Sequence, residues 1–295
     1  MRITPNNTAT LVSELNRLNA QQANVSAQIA SGSRLTSLAS DPSAAGQSAQ
    51  MTGALQSADS FIQTSATVVN RMQAADSALG SVVSSITSAI SVAVQGSNVT
   101  MSASNLRSIA QQLTGIRDQV LSLANASYQG AYLFAGTSGT SQPFTLQSDG
   151  SVTYSGDGNA QQVSTADGVS LATSVSGATV FGSGGPQDVF AVLNSLIQQF
   201  ASGNITNVAD GVATLRTAFD GITSGRSTLD ASINRLNSAT DATTAQKTSL
   251  KVAQTSLLAA NTAELATEFS ATETQRTALM SVISVVQKGS LFDYL

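Results

Sequence analysis

The chain has 295 residues and is 41% hydrophobic, yet it is only 4% aromatic and has no tryptophan. Thirteen Lys and Arg against 17 Asp and Glu leave a net charge of −4, and the cations are scattered, so binding to a phosphate backbone is not expected. The absence of Cys and His removes disulfides, Cys/His zinc sites, thiol nucleophiles and imidazole bases together.

The apolar fraction is largely Ala, Val and Leu amid Ser, Thr, Gln and Asn, which suits slender helical packing better than a thick core. Charged residues make up 10% of the chain, against about 25% in an ordinary soluble domain. A neutral polar surface of this kind is expected where much of it meets other subunits. The start, MRITPNNTATLVSEL, lacks the apolar segment of a cleavable secretory signal. No apolar run near the roughly 20 residues of a membrane span stands out.

The spacing predicts a first helix from about Thr8 to Ser31, with Leu11, Leu15, Leu18, Val25 and Ile29 on one stripe and Gln22 interrupting it. Gly32 is placed to end it in the left-handed conformation. After a connector over 33–40, Asp41 caps a second helix that opens at Pro42. That helix runs to about Gln95 with Leu55, Ile62, Val69, Leu79, Val83, Ile86 and Ile90 inward. Past Gly96-Ser-Asn98, a third helix carries Leu106, Ile109, Leu113, Ile116, Val120 and Leu123, expected antiparallel to the second.

Helical spacing ends at Tyr128–Gly136, and a β-rich insert with a thin core follows. Asp149-Gly150 joins Phe144–Leu146 to Val152–Tyr154, with further turns at Asp157-Gly158 and Asp167-Gly168. After GSGGP, Pro186 opens the next helix, DVFAVLNSLIQQF. Val208, Val212, Leu215, Phe219, Ile222, Leu229, Ile233 and Leu236 then mark a long helix, weakened at Gly211, Gly221 and Gly225 and thinly apolar from Thr240 to Lys251.

The last segment carries Leu265, Phe269, Leu279, Ile283 and Val286 at alternating steps of four and three, with Thr272 and Arg276 in the intervening positions. The first helix matches it and is its expected partner. Gln22, Thr272 and Arg276 make that seam too sparse for one partner, so its full ordering is expected only between subunits. Leu291, Phe292, Tyr294 and Leu295 complete the candidate assembly interface, together with the stripe residues Leu11, Leu15, Leu18, Val25, Ile29, Leu265, Phe269, Leu279, Ile283 and Val286.

Other motifs carry little chemistry. The Asp and Asn near the insert's glycines lack calcium-loop spacing and read as hairpin turns. Glu264, Glu268 and Glu273 read as a solvated helix face. No GxSxG, GxGxxG or phosphate loop is present, and no enzyme, cofactor or metal site is expected. The fold expected is mainly α: an elongated coiled-coil or helical-bundle rod formed by both chain ends, with a small β-rich insert. Its expected divisions are 1–42 with 253–295 as a terminal coiled-coil assembly domain, 43–136 with 187–252 as a helical rod, and 137–186 as the insert.

The run Gly32-Ser-Arg-Leu-Thr-Ser-Leu-Ala-Ser-Asp41-Pro-Ser-Ala-Ala-Gly46 resembles the flagellin signature joining its first two N-terminal helices. Leu113-Thr-Gly-Ile-Arg117-Asp-Gln-Val-Leu-Ser-Leu-Ala-Asn125 is similar to the flagellin helix with an IRELAVQAAN-like core. The start Met1-Arg-Ile-Thr4, the exit Tyr128-Gln-Gly-Ala-Tyr-Leu-Phe-Ala-Gly-Thr137 and the end Ser290-Leu-Phe-Asp-Tyr-Leu295 resemble the hook-filament junction branch of this flagellin-like family. Gln129-Gly130-Ala131 departs from that branch's usual Gly-Arg pair.

The resemblance implies a structural subunit that assembles with itself in a ring or helical array, with a second hook-associated protein on the hook side and flagellin on the filament side. It also implies a cytosolic export chaperone at the C-terminal helix and an extracellular place in the bacterial flagellum, reached by flagellar type III export. Arg117 matches a helix through which an innate immune receptor senses flagellin, and one arginine does not carry that activity over. A filament subunit, or a secreted coiled-coil adhesin or translocator, are the other readings.

Overall fold

The computed structural model describes residues 5–292 apart from Leu38, Ser40, Val99, Ala166, Asp167 and Pro186, with side chains described between Ala9 and Val285. Among these residues the chain is mainly α, with seven helices and three two-stranded antiparallel hairpins. The start Met1–Thr4, the residues Tyr294 and Leu295, and the side chains of Val286, Leu291 and Phe292 lie outside the described residues, as do Asp167 and Pro186. The chain forms two compact units, residues 1–57 with 245–295 and residues 58–244.

The first unit holds helix α1 (Pro5–Ser31), the first turns of α2 (Pro42–Gly96), the last turns of α6 (Val208–Leu258) and α7 (Thr262–Phe292). Gly32 ends α1 with φ of 66°, a left-handed backbone that glycine adopts without a Cβ penalty. The connector then pairs briefly with the α6–α7 junction: the Arg34 amide donates to Leu258 O at 2.9 Å and the Ala260 amide to Gly32 O at 3.0 Å. Asp41 accepts from the Ala44 amide at 3.0 Å, capping α2 as its position before Pro42 predicts. That amide, with the Arg34 guanidinium nearby, holds the Asp41 carboxyl below its ordinary range. The helix stays intact through 240–251 and breaks at Ala259, where Asn261 accepts from the Glu264 amide at 3.3 Å and restarts it.

In the second unit a line of buried residues along α2, Ser65, Val68, Met72, Ala75, Leu79, Val82, Ile86, Ala89 and Ala93, follows alternating steps of three and four, with Ala78 and Ser85 buried beside it. This corrects the expected stripe, because Val69, Val83 and Ile90 are only half-buried flanks. Small residues at the centre let neighbouring helices approach closely, so the larger side chains beside them pack obliquely. Eighteen residues of this helix reach a mean hydropathy of 1.6, long and apolar enough for a membrane span by length and composition alone. Many of its apolar residues instead face a protein core shared with α3, α5 and α6.

Helix α3 (Ala103–Ala124) is capped by Ser102, whose hydroxyl accepts from the Asn105 amide at 3.3 Å. It packs against α5 (Val189–Ser202), and its Ile109 meets the end of α2 at Gly96. Its buried face is Leu106, Ile109, Ala110, Leu113, Arg117, Val120 and Ala124, so Arg117 lies deeper than the half-buried Ile116. Arg117 donates from Nε and Nη2 to Asp118 Oδ1 at 3.0 and 2.8 Å. Helix α5 is capped by Asp188, which accepts from the amides of Phe190 and Ala191 at 2.9 and 3.1 Å, and Val189 is its first residue.

Between α3 and α5 come β1 (Ser127–Tyr128), β2 (Ala131–Tyr132), β3 (Phe144–Leu146), β4 (Val152–Tyr154), β5 (Gln162–Ser164), β6 (Ser170–Ala172) and the short helix α4 (Gly177–Phe181). The β3–β4 hairpin has the expected register, Phe144 opposite Tyr154 and Leu146 opposite Val152. The alternation expected to continue to Phe181 gives way to α4, whose cap is Ser176. The β1–β2 turn places Gln129 and Gly130 at φ of 51° and 83°, the two positive values a tight hairpin turn requires.

The insert supplies only Phe144 and Phe181 to its buried aromatic core and rests on the body for the rest. The few aromatic residues gather there: Phe134, Phe144, Phe181 and Phe190 are each at most 1% exposed, with ring centres 5.2–5.8 Å apart in four contacting pairs. Because Phe190 belongs to α5, this cluster fastens the insert to the helices. The Asn125 side chain adds a two-point clasp, donating to Phe144 O at 2.9 Å and accepting from the Phe144 amide at 3.0 Å. Asp157 serves as an anchor instead of a hairpin turn. Its carboxylate accepts from the Thr137 hydroxyl and amide and from the Asn159 amide, and these bonds, the hydroxyl first, hold its pKa below the ordinary aspartate range.

A Cβ on Gly96 would lie 2.5 Å from the Phe200 ring and 2.8 Å from Ile109, both buried, so Gly96→Ala lowers stability by about 1–3 kcal/mol in urea denaturation. Gly221 has open space around it within α6, so Gly221→Ala raises stability by up to about 1 kcal/mol in the same assay. The Asp157 link has a depressed folded-state pKa, so its contribution is full above roughly pH 4 and is lost as pH falls through the folded value. Amide exchange at Thr137 and Asn159 should therefore accelerate below that pH before the exchange of α3 does.

Candidate functional site: the paired chain ends

The described candidate interface residues fall on α1 and α7, which lie alongside each other in the first unit. The bridge of Ser33 with Ala259 and the bond between Gln21 and Glu268 fix the pair as antiparallel. Leu18, Val25 and Leu265 are 3%, 4% and 8% exposed and form the apolar centre. Leu11, Leu15, Phe269, Leu279 and Ile283 are half-buried, and Ile29 remains 39% exposed. Three fully buried apolar side chains give little transfer energy against the ordering of two long helices.

Polar groups occupy the rest of the seam. Thr272 is 3% exposed, and its hydroxyl is satisfied within the helix by Glu268 O at 2.7 Å. Gln21 Nε2 donates to Glu268 Oε1 at 2.8 Å, and Gln22 Nε2 donates to Glu273 Oε2 at 2.5 Å. Arg276 Nη2 completes this set at 2.8 Å from Glu273 Oε1. Glu268 and Glu273 are thus half-buried cross-helix acceptors, which corrects their reading as a solvated face; Glu264 is exposed, near the α7 cap. Gln21 is a seam residue that the stripe did not name. The signal was present as two adjacent glutamines opposite glutamates five residues apart.

The outward faces of the two helices carry Val12, Met280, Val282 and Val285, between 47% and 69% exposed. Beside them a shallow open recess is lined by Glu273, Thr274, Thr277, Ala278 and Ser281. Among the described residues no group of three or more His, Cys, Asp or Glu is placed to hold a metal ion. The arrangement offers surfaces for packing.

Fold and seam together define a class of helical protein whose first and last helices pair around a central stretch containing a hairpin insert. Residues 4–139 match the bacterial flagellin N-terminal helical region, and residues 212–295 match the bacterial flagellin C-terminal helical region. The chain belongs to the bacterial flagellin family. Its fold is shared with a putative flagellar hook-associated protein from Vibrio parahaemolyticus at 19% identity and a TM-score of 0.68, covering 74% of this chain and 99% of that one. FlgL from Xanthomonas campestris is similar at 18% identity and a TM-score of 0.63, covering 70% and 99%. Flagellar hook-associated protein-3 from Legionella pneumophila follows at 14% identity and a TM-score of 0.64, covering 70% and 98%. Comparison with curated protein sequences gives no significant match.

Leu18→Asp would place an unpaired carboxylate in the centre of the seam and cost the α1–α7 pairing on the order of 3 kcal/mol. Hydrogen exchange should then speed up across residues 9–31 and 262–285 while residues 65–124 keep their protection. Val282→Asp, at an outward position, should change stability by less than about 0.5 kcal/mol.

Proposed function

We propose that this chain is a non-enzymatic structural subunit of the bacterial flagellum that joins the hook, or its adaptor ring, to the flagellin filament. The observation that carries this reading is the α1–α7 pair: its seam is half polar, while Val12, Met280, Val282 and Val285 stand exposed on its outward faces. A helical pair with that surface gains apolar burial when further copies close around it. Membership of the flagellin family and likeness in fold to hook-associated proteins support the same reading.

On this reading the two chain ends, 1–42 with 253–295, act as the assembly domain, residues 43–136 with 187–252 act as a helical spacer, and 137–186 is an insert. Leu11, Leu15, Leu18, Val25, Ile29, Leu265, Phe269, Leu279, Ile283, Val286, Leu291, Phe292, Tyr294 and Leu295 form the assembly interface. The partners are further copies of the chain, a second hook-associated protein on the hook side and flagellin on the filament side. Before assembly, a cytosolic chaperone covers the C-terminal helix, and the chain leaves through the flagellar type III pathway to an extracellular position.

Chromosomal deletion followed by electron microscopy tests this directly. A junction subunit leaves hooks without filaments and flagellin shed into the medium, whereas deletion of the filament subunit leaves none to shed. A chain lacking 265–295 should fail to restore filaments, and restored attachment would overturn the assembly role. Leu279→Asp should reduce filament attachment with little change in monomer melting, since Leu279 is half-buried in the isolated chain.

A further inference from the structure

A second polar feature lies in the unit formed by residues 58–244. Arg71 on α2 lines a recess of about 150 Å³ with Thr67, Val68, Tyr128, Gln129 and Ala131, so its far wall is the β1–β2 turn. Among the described residues no hydrogen bond or ion pair engages its guanidinium, and its half-burial lowers its pKa. Arg17, Arg34, Arg117, Arg226 and Arg276 each pair with a carboxylate, while Arg107, Arg216 and Arg235 are exposed to water. Arg71 alone among the described arginines combines burial with an unmet charge. Tyr128 and Gln129 add polar side chains to its lining, and among the described residues no acid lines it. Donors without an acceptor define a place for an anionic oxygen pair, and a guanidinium binds a carboxylate through two parallel bonds.

The chain also holds carboxylates with nothing to bind. Glu14, Asp41, Asp76 and Asp118 sit in ion pairs, Asp149 and Asp157 hold their own loops, Asp188 caps a helix, and Glu268 and Glu273 accept in the seam. Asp230 lies near Arg226, and Asp210, Asp220 and Asp241, exposed along α6, show no hydrogen bond or ion pair among the described residues.

We infer that the Arg71 recess receives an aspartate from the α6 face of a second copy of this chain. The recess and the aspartates are different patches of one surface, so the contact is head-to-tail and propagates into a ring or a helical row. Desolvating Arg71 has already been accomplished by folding, so the carboxylate meets a cation whose hydration is partly removed. This inference rests on the reading that copies of the chain assemble in the flagellum.

The absence of native cysteine makes the test clean. Chains with Arg71→Cys are co-expressed with chains carrying Asp210→Cys, Asp220→Cys or Asp241→Cys, and isolated flagella are treated with a short bismaleimide. A dimer with one α6 position, and at least a tenfold loss of incorporation for Arg71→Glu that the reverse change at that aspartate restores, are the expected results. Arg71→Leu should keep or raise the monomer melting temperature, separating loss of contact from loss of fold. If the chain is incorporated, no α6 position cross-links and Arg71→Glu behaves as the parent, the inference is overturned. If the chain is absent from flagella, the flagellar reading fails on its own; the same cross-link is then sought in the concentrated purified protein, and its absence overturns the recess contact too.

Discussion

The unit formed by residues 58–244 depends on one constraint, the narrow stripe of small side chains along α2. Ser65, Ala75, Ala89 and Ala93 share one buried line with Val68, Met72, Leu79, Val82 and Ile86 at steps of three and four. Small residues bring neighbouring backbones close, and close backbones bury a long surface without many large side chains. The same economy explains how a chain with 4% aromatic residues maintains a continuous core. Gly96 at the end of the stripe extends it, giving the Phe200 ring room against the helix terminus.

The chain ends obey a different logic. Their seam combines three buried apolar residues with two glutamine–glutamate bonds, so it specifies register more strongly than it supplies stability. A hydrogen bond between helices is lost when one helix slides by a turn, whereas leucine contacts re-form with a neighbour. The polar positions thus keep α1 and α7 aligned while leaving apolar surface for other contacts.

Much of this was legible in the sequence because helices announce themselves by period and by punctuation. Gly32, Asp41-Pro42 and Asp149-Gly150 mark boundaries whose backbone requirements are local, and they occur where expected. The phase of α2 was not legible, since large apolar residues such as Val69 and Ile90 advertise themselves more loudly than the alanines that form the true contact line. The aromatic cluster was hidden for a related reason. Phe134, Phe144, Phe181 and Phe190 are spread over 57 positions and meet only through tertiary closure. In the candidate site, the stripe identified the apolar members, but the partners of Glu268 and Glu273 lie some 250 positions away and no local rule reaches them.

The two hairpins of the insert differ in how far they are committed to the body. The Gly150 turn is wedged against Asn194 and beside Arg117, so it is part of the helical surface. Around Gly168 there is open space, and its hairpin carries no member of the aromatic cluster. A foreign peptide grafted between β5 and β6 would therefore be carried outward by a finished fold, making that turn the natural place to display an epitope or tether an enzyme on this scaffold.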